Sequence, residues 1–222
     1  MAWPNKCAVV IPCLNEERQI GWVVAQARQH LPTVLVVDDG SQDDSAQVAA
    51  AAGAEVVRHP VNLCKGAALN TGLSAARRAG FVHAITMDGD GQHRPEDIPC
   101  LLNRAEQTQA PLVIGNRMAQ PQAIPWVRRQ ANRWLSHQLS RRAGRTLPDT
   151  QCGFRLLDLA AWSRLPLKTC HFEVESETLM AFIAAGHRVE FVPIQVVGRG
   201  PQSHIRPLTD ALRWWKWWRG SR

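Results

Sequence analysis

Apolar residues fall in short, largely β-branched runs at 7–11, 33–37, 55–57, 84–87 and 112–114, and the stretches between them carry helical periodicity. Continuous runs of this kind are the signature of strands buried on both faces. The intervening helices are predicted at 20–30, 44–52, 66–79 and 95–107. Gly53 and Gly80 stand where helix C-caps are expected, and Pro95, Glu96 and Asp97 suit a first helical turn. Strand and helix alternate, so the pattern predicts an α/β fold with a mainly parallel sheet and helices on both faces. The second half is less regular: a helix at 125–142, a loop at 149–155, a helix at 175–185, a strand at 189–196 and a terminal Trp-rich amphipathic helix at 207–219.

Length and composition narrow this only slightly. The 222 residues contain no linker-like stretch, so one domain spanning 1–222 is expected. A hydrophobic fraction of 45% beside 20% charged residues excludes disorder. No apolar stretch is long enough to span a bilayer, and the first apolar run is too short for a signal peptide, which predicts a cytoplasmic protein. Six cysteines without a Cys-x-x-Cys pair suggest neither a zinc site nor a disulfide framework. The net charge of +7 implies attraction to an anionic partner, and nucleic acid, a membrane surface or a phosphorylated substrate would each satisfy it.

In open α/β sheets ligands collect at the carboxyl ends of the strands. Three polar segments, PCLNEE at 12–17, DDGS at 38–41 and MDGDGQH at 87–93, each follow a predicted strand directly and would converge on one crevice. Asp88 and Asp90, separated by Gly89, present paired hard oxygen ligands that suit Mg2+ or Mn2+, with Gln92 as a neutral third ligand. Taken alone, the pair also reads as an acidic turn. An EF-hand is excluded because Pro99 stands where that loop needs a glutamate. A haloacid-dehalogenase-like phosphatase also places Asp-x-Asp after a strand, but near its amino terminus, whereas three strand and helix units come first here.

Asp38 and Asp39 can bind a base or ribose or cap the next helix, and Asn15 and Glu16 can bind nucleotide or open the first helix. Lys65, at a predicted helix start, and Arg117, beyond a strand end, are candidates to contact phosphate. The loop 149–155, DTQCGFR, combines a carboxylate, an amide and an arginine around a glycine.

Taken together and in order, these segments resemble the family 2 glycosyltransferases of the GT-A fold, a Rossmann-like architecture, and especially the dolichol-phosphate mannosyltransferase-like and polyprenyl-phosphate glycosyltransferase branch. The resemblance implies nucleotide-sugar donor contacts from Pro12, Cys13, Glu16, Asp39, Lys65, Gly89 and Arg117, although the family usually has tyrosine at Cys13. It implies metal ligation by Asp88, Asp90 and Gln92. On the acceptor side the matching positions are Asp149, Gln151, Arg155, Glu175 and Glu177, with Ser203, His204 and Arg206 as a late phosphate-closing element. It further implies inverting transfer of a sugar to polyprenyl phosphate.

A phosphate acceptor is already largely anionic at neutral pH and needs only positioning, by Arg155 and a late basic residue. A saccharide hydroxyl, as in cell-envelope polysaccharide or glycolipid synthesis, would need a base, for which Asp149 comes first and Glu175 second. In the terminal helix Leu208, Ala211, Leu212, Trp215 and Trp218 fall at helical spacing, with Arg213, Lys216 and Arg219 interleaved. That stripe suits either packing on the core or the headgroups of an anionic membrane, on the inner face of the cytoplasmic membrane or through a membrane protein partner. The basic residues Arg128, Arg129, Arg133, Arg141, Arg142 and Arg145 are expected either to face the same surface or to be ordinary solvated side chains. Nucleic acid is not an expected partner. The reading from another class is a catalytically inert basic protein that docks on membranes.

Overall fold

Every residue from Cys7 to Ile11 is 0% exposed, so the first strand must be covered on both sides. The computed structural model describes residues 3–171, 173–197 and 207–220. Strands β1 (Cys7–Cys13), β2 (Val34–Asp38), β3 (Glu55–Arg58), β4 (His83–Thr86), β5 (Leu112–Asn116), β6 (Arg155–Asp158) and β7 (Val189–Pro193) form one sheet in the order β3-β2-β1-β4-β6-β5-β7. β6 pairs antiparallel with both β4 and β5, and all other pairings are parallel. The helices are α1 (Ile20–Ala27), α2 (Ser45–Ala51), α3 (Lys65–Arg78), α4 (Ile98–Thr108), α5 (Trp126–Ala143), α6 (Leu159–Trp162), α7 (Val174–Ala184) and α8 (Pro207–Gly220).

All five predicted strands of the first half are present within two residues of their expected ends. The predicted helix at 95–107 is divided into a 3-10 turn, Pro95–Asp97, and α4, whose first turn holds Pro99. Both prolines sit where a missing N–H costs nothing. Gly53 and Gly80 do end their helices, with φ of +93° and +87°. Apart from short 3-10 turns, two of the described elements were not foreseen, β6 and the short α6. Four residues, RLLD, carry too little pattern to specify a strand; the slot between β4 and β5 makes them one.

α3 lies directly on the sheet because Gly72 has no side chain. A methyl there would collide with Val10 of β1 and stand 3.1 Å from Val37 of β2. Gly72→Ala is therefore expected to destabilise the protein by about 1–3 kcal/mol, through overpacking that outweighs the gain in helix propensity. Thermal melts check this; an unchanged or higher midpoint would mean that α3 can lift off the sheet without cost.

The apolar stripe of α8 is the expected one only in part: Trp218 packs inward as expected, Leu212 and Trp215 do not, and the Leu208 and Ala211 side chains lie outside the described residues. Trp214 is buried, its indole N–H donates to Ser176 Oγ at 3.1 Å, and Trp217 and Trp218 pack against the core. Leu212 and Trp215 are exposed instead, at 60% and 47%. Trp at four of five consecutive positions places aromatic surface on two faces of the helix, so spacing cannot choose between them. The polar partner on α7 chooses. α8 also lies beside α5: Trp134 and Trp214 have ring centroids 5.8 Å apart, and Arg142 Nη1 donates to Trp218 O at 3.2 Å.

Candidate active site

β2 and β4 flank β1, and the chain leaves β1 toward β2 on one side and returns as β4 on the other. This is the topological switch point at which α/β sheets form a crevice. β4 stops pairing at Thr86 opposite Val10, while β1 continues to Cys13. The chain after β4 is thus free to cross the end of β1. The position a Gly89 side chain would occupy is 3.4 Å from Pro12 O and 3.5 Å from Ile11 Cγ2, so glycine permits this crossing at close range. Asp88 and Asp90 stand on either side of it, both half-buried.

Asp88 is the centre of the charge network. Lys65 Nζ lies 2.7 Å from Asp88 Oδ1 and 2.7 Å from Glu175 Oε1, linking the Asp-Gly-Asp turn to the first turn of α7. Burial pushes the Asp88 carboxyl up, but Lys65 and His93 outweigh it and hold Asp88 well below the usual carboxylate range. The same two carboxylates raise Lys65 against its own burial. Asp90 is shifted the other way, up, by burial and by the neighbouring Asp88 charge. Glu16, 7% exposed, is pushed up to about 7 by burial and by Asp90, Asp43 and Asp88. Three carboxyl groups therefore share one negative field that Lys65 only partly offsets.

This donor set fits a hard divalent cation. Asp88 and Asp90 offer carboxylate oxygen, Gln92 an amide oxygen, and among the described residues no third His, Cys, Asp or Glu ligand closes around the pair. The open positions that remain are what Mg2+ needs for water and substrate phosphate.

Residues 8–164 match the family model described as Glycosyl transferase family 2. The chain belongs to this family. An uncharacterized protein of Methanocaldococcus jannaschii is 31% identical over 195 residues, covering 85% of this chain and 80% of that one. The UDP-N-acetylglucosamine–dolichyl-phosphate N-acetylglucosaminyltransferase of Methanococcus voltae is 27% identical over 212 residues, covering 85% and 84%. Among solved structures, glucosyl-3-phosphoglycerate synthase of Mycobacterium tuberculosis, in complex with Mg2+ and UDP, superposes with a TM-score of 0.72 at 24% identity, covering 93% of this chain and 74% of that one. The fold is thus the GT-A-like α/β architecture of the family 2 glycosyltransferases.

Several expected site residues of this glycosyltransferase take up structural work. Asp149 is 0% exposed and accepts from Arg117 N at 3.1 Å, Nε at 2.8 Å and Nη2 at 2.9 Å, and from Gln151 N at 3.2 Å. Although burial raises it, Arg117 holds its carboxyl below the ordinary range. A base so enclosed is poorly placed to take a proton, and Arg117 is correspondingly committed to Asp149 rather than open to phosphate. Arg155 donates to the carbonyls of Cys152, Glu175 and Thr150 at 2.6, 2.7 and 3.0 Å, stapling the 149–155 loop to α7. Gln151 Nε2 donates to Thr150 Oγ1 and Ser176 Oγ. Glu177 accepts from Lys168 N, Thr169 N and Thr169 Oγ1.

On the expected donor side, Pro12 is half-buried at the end of β1 and Cys13 lies in the core at 2% exposure, its thiol pushed up to about 12 by burial. Asp39 Oδ1 is held by His59 Nδ1 at 2.7 Å and by Leu63 N at 2.9 Å. Asp38 pairs with Arg58 Nε at 3.0 Å. Ser203, His204 and Arg206 lie outside the described residues.

Two residues not singled out are essential to the geometry. A side chain on Gly153 would stand 2.9 Å from both carboxylate oxygens of Asp88. The glycine in DTQCGFR therefore makes room for the Asp88 carboxylate. His93, 3% exposed, stacks on Phe154 with its Nδ1 3.9 Å from Asp88 Oδ2. Its position in MDGDGQH was a sequence signal; its orientation was not.

The carboxylate field has a sign that can be measured. Glu16 in the folded protein, at about 7, binds protons more tightly than an unfolded glutamate near 4.5, so between those values the folded state holds more protons. Relative to Glu16→Gln, the metal-free protein is expected to gain heat stability as pH falls from about 8 to about 6; His83 and His93, which burial lowers, oppose this slope but are common to both proteins. The same pH dependence in wild type and variant would remove Glu16 from the cluster.

Proposed function

We propose that this chain is an inverting, metal-dependent glycosyltransferase that moves a sugar from a nucleotide diphosphate-sugar to polyprenyl phosphate. The observation that carries the reading is the group Glu16, Asp88 and Asp90 at the switch-point edge, an under-compensated negative field of hard oxygen ligands. Mg2+ or Mn2+ held there by Asp88, Asp90 and Gln92 would stabilise the charge that develops on the departing nucleotide diphosphate. The chain's own residues organise the rest. Lys65 holds Asp88 ionised and ties it to Glu175, so the two sides of the crevice are positioned together. Asp149 and Arg117 act as a buried strut beneath them.

Phosphate is favoured over a saccharide hydroxyl as acceptor because the carboxylates that would serve as base are occupied, Asp149 by Arg117 and Glu175 by Lys65. A phosphomonoester, with a second pKa of about 6, needs no such base at neutral pH. Beside Lys65 and Glu175 lies a cavity of about 260 Å3 whose apolar walls include Leu69, Leu73, Leu157 and Trp162, which suits an acceptor with an apolar stem. The polyprenyl class also accords with the dolichyl-phosphate acceptor named for the Methanococcus voltae relative.

Attachment to an anionic membrane surface completes the reading. No described helix is long and apolar enough to cross a membrane. α5 and α8 expose Trp126 at 65%, Val127 at 72%, Trp134 at 56%, Leu212 and Trp215, with Arg133, Arg141, Lys216 and Arg219 also exposed. Aromatic and cationic side chains in this mixture match a headgroup layer. Arg142, half-buried, and Arg145, exposed, each donate to a backbone carbonyl, Trp218 O and Val189 O.

The decisive experiment incubates the protein with Mn2+ and individual nucleotide sugars, with and without polyprenyl phosphate. Formation of a glycosylated lipid that stops on chelation is expected. Transfer to saccharide hydroxyls alone, or release of phosphate from monoesters without sugar transfer, would overturn the assignment. Sedimentation with anionic vesicles, and its absence with neutral ones, checks the surface attachment.

A further inference from the structure

Cys64, Cys170 and His171 come from segments about a hundred residues apart, yet one ligand atom of each lies within 4.8 Å of the others. Neither cysteine is joined in a disulfide. The segments are already in backbone contact: Gly66 N donates to Cys170 O at 2.6 Å, and a side chain at Gly66 would stand 2.6 Å from Cys170 Cα. Little chain entropy therefore remains to be lost in bringing the three ligands together. Cys64 is buried at 7%, whereas Cys170 and His171 are half-buried, so the cluster has a closed floor and a side accessible to solvent.

Cys64 is also an unusual residue for its place. Its backbone has φ +86° and ψ 158°, a region that glycine occupies without strain and other residues rarely adopt. A thiol is thus held at the entrance of α3 where backbone geometry alone would select glycine.

We infer that Cys64, Cys170 and His171 form a second metal site, selective for a soft divalent cation of the zinc class and separate from the oxygen site at Asp88 and Asp90. Two thiolates and an imidazole suit such an ion, while Mg2+ prefers the carboxylates. Around a tetrahedral ion with bonds of about 2.3 Å to sulfur and about 2.0–2.1 Å to nitrogen, ligand atoms stand about 3.5–3.8 Å apart, so from separations within 4.8 Å the trio must close by at most about 1.3 Å. The fourth position is left to water. Binding would clamp the segment 167–170, which forms part of one wall of the 260 Å3 cavity, to the first turn of α3 beside Lys65. The site does not depend on the identity of the donor or acceptor.

The test titrates the reduced, metal-free full chain with Co2+ and Zn2+, reading thiolate-to-cobalt charge-transfer absorption and its displacement by Zn2+. One equivalent per chain is expected, undiminished by excess Mg2+ and retained in Asp88→Asn. Cys64→Gly relieves the backbone strain and should fold, yet should bind at least about tenfold more weakly, the lower end of what loss of even a supporting partner costs a metal site. Cys170→Ser and His171→Ala should weaken it likewise. Absence of thiolate absorption in the wild type, or equal affinity in Cys64→Gly, would overturn the site.

Discussion

Asp88→Asn is expected to lower sugar transfer by at least roughly two to three orders of magnitude while leaving the fold in place. The magnitude follows from what one electrostatic group aimed at developing charge contributes, about 2.7–4 kcal/mol. Asparagine matches the shape, and Lys65 keeps Glu175 as a partner at 2.7 Å, so no buried charge is orphaned. The measurement is the transfer rate with saturating metal and donor, alongside the metal-induced rise in melting temperature, which should vanish. Gly153→Ala is the matching probe of position: it retains the charge but brings a methyl to 2.9 Å from both Asp88 oxygens. If Asp88→Asn transfers at the wild-type rate, the Asp-Gly-Asp turn is not the centre of the reaction.

The second large effect is on stability. Arg117→Met leaves the Asp149 carboxylate, 0% exposed, without the side chain that meets it at 2.8 and 2.9 Å. Breaking a buried pair from one side costs about 3–5 kcal/mol, and at roughly 2–4 °C per kcal/mol for a domain of this size the melting temperature should fall by about 6–20 °C. Replacing both partners together, Arg117→Met with Asp149→Leu, should recover most of the loss. In the wild type the pair's contribution is present above the ordinary aspartate value near 3.8 and fades as pH falls through the depressed folded one. An arginine reserved for substrate phosphate would leave the melting temperature of the ligand-free protein unmoved, and that result would refute the strut.

Much of this architecture was legible in the linear chain. Burial on both faces forces β1, β2, β4 and β5 into continuous apolar runs, and a chain that alternates such runs with amphipathic helices has few ways to pack other than a parallel sheet. The Asp-Gly-Asp turn was legible for the same reason: it follows a strand, and the ends of parallel strands gather at one edge. β6 was not, because RLLD becomes a strand only where β4 and β5 leave a gap. The face of α8 was not, because tryptophans on two sides of a helix make its apolar stripe ambiguous.

The sequence by itself determined the order of the first five strands and the helices between them, the edge at which the polar segments meet, and the presence there of residue types that suit a hard cation. Only the tertiary structure decided partnership. It turned Arg117 onto Asp149, strung Lys65 between Asp88 and Glu175, and brought Cys64 to Cys170 and His171. Charges and thiols carry no periodicity, so their partners are set by distances between segments far apart in the chain, which no local pattern encodes.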